Sequence, residues 1–113
     1  MRIGFPLTAL LLLAACQPVS DTKKLAIVGA KLIDGKGGAP IEHSIVLIEG
    51  ATFVKAGSQS SVPLPKDFEI VDGLGKTMEP IAGGMPIDAG NPANLTLKSA
   101  SATRTMKDGQ WQN

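Results

Sequence analysis

An all-β domain, a small β-sandwich or distorted barrel, is the fold class this sequence predicts, and three observations predict it. Short aliphatic and β-branched runs recur between turn signals from Leu25 to the C-terminus. Two pairs of these runs are joined by tight glycine reversals of the kind that close β-hairpins. Beyond Cys16, no window places apolar residues at a 3.6-residue period between helix caps.

The elements follow in order. Leu25 to Ile33 is the first apolar run. Asp34 to Pro40 holds three glycines and a proline, which stops any helix or strand. Ile45 to Ile48 and Thr52 to Ala56 flank Gly50-Ala51, with glycine at the first central position that a type II′ turn needs. Ser58 to Lys66 carries Pro63 and Pro65 and reads as a loop. Phe68 to Val71 is a short run ended by Asp72-Gly73, and Lys76 to Met78 forms a brief strand before Pro80. Ile81 to Pro92 is an irregular connector rich in glycine and proline. Leu95 and Leu97 alternate with Thr96 and Lys98, the period of a half-buried strand. Arg104 to Lys107 and Gln110 to Gln112 flank Asp108-Gly109, a second hairpin. The expected count is seven or eight strands.

The first residues read differently. Arg2 precedes an apolar run, Leu7 to Ala15, that is too short to span a membrane. Small residues then lead into the single cysteine, Leu13-Ala14-Ala15-Cys16. This order resembles a bacterial lipoprotein signal, with residues 1–15 removed and lipid attached to Cys16. The other reading is an ordinary secretory signal with an incidental cysteine. Residues 16–24 are then the lipidated cysteine and a polar tether, and residues 25–113 are the domain. Gln17 stands where an aspartate would resemble an inner-membrane retention signal, so the expected location is the outer membrane, facing the periplasm. A metal or disulfide role for Cys16 needs a second cysteine, and the chain has none.

Composition excludes some classes. The net charge is +1, and nothing suggests a nucleic-acid footprint, which needs a clustered excess of Lys and Arg. Aromatic residues make up 4% of the chain, too few for base-stacking platforms.

Two stretches carry a more specific likeness. LAIVGAKLIDGKGGAPIEHSIVLIEGATFVKAG followed by FEIVDGLGKTMEP resembles the N-terminal strands of the amidohydrolase family of metal-dependent hydrolases. IDAGNPANLTL followed by TRTMKDGQWQ resembles that family's C-terminal strands. The resemblance implies a composite β domain built from both ends, normally interrupted by a (β/α)8 barrel. Pro80 stands where the barrel would begin, and Ile87 where the chain has already returned. The family's metals are held by a His-x-His pair, further histidines and carboxylates. Here Ile81-Ala82-Gly83-Gly84 follows Pro80, and His43 is the only histidine. No catalytic, cofactor or metal residue carries over. Asn94 also replaces the family's usual aspartate.

Other residues have plainer readings. His43 reads as a solvated turn residue. Gly35, Gly37 and Gly38 precede a strand, so they read as turn glycines, not a phosphate cradle. Asp34, Asp72 and Asp108 each precede glycine, as turn chemistry favours. Asn94-Leu95-Thr96 is an incidental glycosylation match. Trp111 reads as a lid on the core.

Three function classes remain. The first is a non-catalytic, lipid-anchored interaction module or remnant. The second is a truncated amidohydrolase, or one complemented in trans, acting on non-peptide C–N bonds. The third is a small ligand binder, for which no pocket residues stand out. The expected partners are the membrane, through lipid on Cys16, and a protein or second copy docking near Ile81, Met85 and Ile87.

Overall fold

The computed structural model describes residues 22–112. The expected signal peptide and Cys16 lie outside the described residues. The domain is all-β, with nine strands among the described residues: β1 Lys24–Val28, β2 Lys31–Leu32, β3 Ser44–Glu49, β4 Thr52–Ser58, β5 Glu69–Asp72, β6 Thr77–Glu79, β7 Leu95–Lys98, β8 Thr103–Lys107 and β9 Gln110–Trp111. They form two sheets, in the orders β4-β3-β1-β5 and β2-β6-β7-β8-β9.

The run expected as one element from Leu25 to Ile33 is two strands in different sheets. Gly29 has φ 98° and Ala30 follows without strand pairing. Only glycine adopts that dihedral freely, so the chain turns there from one sheet into the other. Ser44 secures the corner: its Oγ donates to the Ala30 carbonyl at 2.7 Å, and it is the buried polar residue of the core. The second crossing repeats the first. β5 runs parallel to β1, and β6 runs parallel to β2. Gly73 makes the corresponding corner, and a Cβ built there would stand 2.9 Å from the Ala30 Cβ.

Both hairpins form where the sequence places them. Glu49 pairs with Thr52 around Gly50-Ala51, and Gly50 has φ 64°. Lys107 pairs with Gln110 around Asp108 (φ 50°) and Gly109 (φ 79°), the two positive dihedrals of a type I′ turn.

One core joins the sheets. Leu25, Ile27, Val46, Ile48 and Phe53 from the first sheet meet Leu32, Met78, Leu95, Leu97 and Met106 from the second. Alternation along β1 sends Ala26 to the opposite face, where it packs with Ile45, Leu47 and Val62. Val62 and the half-buried Phe68 come from the loop between β4 and β5. That loop closes the outer face of the first sheet, which explains why β3 is buried on both sides.

Lys24 donates to Asp67 at 2.8 Å at the start of β1. This hydrogen bond, with the attraction between the charges, lowers the Asp67 pKa and raises that of Lys24. A lowered carboxylate pKa adds stability above its unfolded value and loses it as pH falls through the folded value. Both groups are solvated, so the contribution is small.

Candidate functional site

Two shallow clefts meet at one end of the domain, beside the turn into β3. Glu42, His43, Ser58, Gln59 and Ser60 line one, with a volume of about 400 Å³. Glu42 and His43 also line the other, with Lys31, Leu74 and Lys76. His43 has φ 49°, and its carbonyl accepts from the Gln59 N–H at 3.0 Å. Its backbone therefore holds the β4–β5 loop, in keeping with a turn residue. Among the described residues no hydrogen bond joins its ring to a serine or carboxylate. Glu42 lies 3.8 Å from the Lys31 ammonium, both exposed. This end can offer hydrogen bonds to a polar ligand, but no activated nucleophile is assembled there. The sequence reading passed over Glu42; its adjacency to His43 after a glycine-rich turn was the available signal.

The glycine-rich loop after β2 serves packing. A Cβ at Gly35 would stand 2.8 Å from Pro80 and 3.5 Å from the Pro86 backbone. The Asp34 carbonyl accepts from the Ile87 N–H at 2.9 Å, and Lys36 pairs with Asp88 at 3.3 Å. The loop thus clasps the Pro80–Asp88 connector. Asp34 Oδ1 accepts from the Lys36 N–H, and Asp72 Oδ1 from the Leu74 N–H, both local turn bonds.

Asn94 has a structural task. Its Oδ1 accepts from the Asp108 N–H at 2.8 Å, tying the second hairpin to the start of β7. An aspartate presents the same acceptor, so the departure at Asn94 leaves this bond available. Trp111 is half-buried against the core and carries Arg104 over its ring at 4.0 Å. It covers the core edge, as expected.

The connector divides the three apolar residues read as a surface. Ile87 is 1% exposed and belongs to the core. Its N–H donates to the Asp34 carbonyl at 2.9 Å, and its side chain packs into the core. Any docking face here therefore excludes Ile87. Met85 is 52% exposed, Ile81 is half-buried, and Ile33, which the sequence reading did not single out, is 37% exposed.

Among the described residues no three His, Cys, Asp or Glu side chains gather as a metal site.

No protein-family model matches this chain, and no curated protein does. Several solved structures are similar to it, among them two hydrolases. Molinate hydrolase shares 34% identity over 55% of this chain, with a TM-score of 0.46. Phenylurea hydrolase B shares 38% identity over 51% of this chain, with a TM-score of 0.47. The match spans only 13% of either hydrolase.

Proposed function

We propose that this chain is a lipid-anchored, barrel-less amidohydrolase-like β domain that binds a partner and has no catalytic activity of its own. The observation that carries the reading is the junction between its halves. β6 and β7 pair directly through Met78 and Leu97, although they come from the two stretches that resemble opposite ends of the family. Between them runs only the 80–94 connector, which turns early, with the Gly84 N–H donating to the Ile81 carbonyl at 2.7 Å. The family resemblance places a catalytic barrel at this point. A two-metal centre needs several His and carboxylate ligands, and the chain holds one histidine.

The test is metal content and turnover. The purified mature domain, refolded with excess zinc and desalted, is expected to retain no stoichiometric metal and to hydrolyse no amide, lactam or urea. About one or two zinc ions per chain, together with turnover, overturns the reading.

A second reading is a truncated amidohydrolase, or one completed by a barrel in trans. The exposed Met85 and the half-buried Ile81 of the connector favour it, since a missing neighbour would cover them. Turnover restored on mixing with a barrel-only polypeptide would establish it.

These two residues are the expected surface for a protein partner or second copy. Met85→Lys is expected to abolish self-association in sedimentation at micromolar concentration while leaving the melt unchanged. Ile87→Lys, which buries a charge in the core, is expected to unfold the domain. A monomeric wild type rejects self-association through this face.

A further inference from the structure

Where the chain leaves the domain fixes which end a lipid anchor would hold. The Lys23 carbonyl accepts from the Gly50 N–H at 2.8 Å, and the Thr22 methyl lies 3.4 Å from a Cβ built at Gly50. The N-terminal segment is therefore pinned to the Gly50-Ala51 turn. The Asp108-Gly109 turn sits against the same place, because Gly109 packs on the Gly50 carbonyl and its N–H donates to the Ala93 carbonyl at 3.0 Å. From there β1 and β3 cross the domain to the end that carries Glu42, His43 and Ser58 to Ser60. Six residues of β3 span about 17 Å at strand rise.

The stretch from Cys16 to the described residues is short. Five residues separate Cys16 from Thr22. Fully extended, that segment reaches roughly 20 Å. A lipid on Cys16 would keep the Gly50–Gly109 end within that distance of the headgroups. The exposed charges around that end include Lys23 and Lys107 against Glu49 and Asp108. Their balance leaves this end with neither net attraction to nor net repulsion from an anionic surface, so the tether alone holds it there.

We propose that the domain stands with the Gly50–Gly109 end toward the bilayer and presents the Glu42–His43 clefts to the aqueous side. This rests on the lipid-anchored reading above. It makes the clefts the surface available to a soluble polar ligand, while the turns at Gly50 and Gly109 are shielded by headgroups.

The chain has no cysteine besides Cys16, so a second cysteine can be labelled selectively once the first is acylated. The full lipidated protein carrying Lys107→Cys or Ser60→Cys, each bearing a donor dye, is placed in vesicles of neutral phospholipid with a headgroup acceptor. Both positions are exposed. Strong energy transfer from position 107 and weak transfer from position 60 is the expected result. Equal transfer would mean that the domain lies flat, and the reverse order would mean that it is inverted; either overturns the orientation. Flotation separates the two levels. The lipidated protein is expected to float with the vesicles and Cys16→Ser to stay behind. A protein that floats regardless of Cys16, or never floats, removes the anchor and the orientation with it.

Discussion

Gly109→Ala is expected to unfold the domain. Two effects coincide at this residue. Its φ is 79°, where an L-residue pays roughly 1–2 kcal/mol. A Cβ there would also fall inside the van der Waals radius of the Gly50 carbonyl oxygen, and 3.0 Å from the Gly50 carbonyl carbon. Both obstacles are backbone atoms, and Gly50 is itself held by Lys23. Relief requires the two hairpin turns to separate, which breaks the Gly109-to-Ala93 hydrogen bond and opens the seam between the sheets. The total cost should exceed about 4 kcal/mol, the range reserved for named structural failures. Gly75→Ala is the matched control. Gly75 has the same φ of 79° and nothing within 4 Å of its built Cβ. Thermal melts should show a modest drop for Gly75→Ala and no cooperative transition for Gly109→Ala. Equal drops would mean that the contact with Gly50 relaxes easily, and the account of the seam would fail.

Deleting residues 95–113 is expected to abolish folding, not to trim the domain. The deletion removes β7, β8 and β9, and with them Leu95, Leu97 and Met106, all buried. At about 1.5–3 kcal/mol for each fully buried side chain, the loss is roughly 5–9 kcal/mol. That matches the whole stability expected of a domain this size, roughly 5–14 kcal/mol. The remaining chain would also expose Met78, Leu32 and Phe53 and leave the β6 edge unpaired. A truncated chain that stays monomeric with a cooperative melt would show that the N-terminal strands are self-sufficient.

Much of the local structure was legible because it is encoded locally. Asp108-Gly109 and Gly50-Ala51 form the expected turns, since each needs only residues that tolerate positive φ at the turn itself. The alternation of Leu95 and Leu97 placed β7 for the same reason, because the strand period sorts side chains onto two faces. The readings of His43 as a turn residue and Trp111 as a cover on the core rested on neighbours in sequence and stand in the structure. Ile87 could not be read this way. Its setting in a glycine-rich connector looks like surface, and its place in the core depends on segments distant in sequence, the Asp34 carbonyl that holds its N–H and the side chains it packs among.

The sequence by itself determined that the domain is all-β, where most strands lie, and that one histidine and one cysteine are all it offers beyond carboxylates for metal chemistry. Those properties follow from side-chain period, turn chemistry and inventory. The tertiary structure decided that Leu25 to Ile33 divides between two sheets at Gly29, and that β1–β5 and β2–β6 pair in parallel. It also brought the turns at Gly50 and Gly109 into contact. Pairing between distant segments depends on which apolar faces can be buried together, and that choice is made only when the whole core assembles.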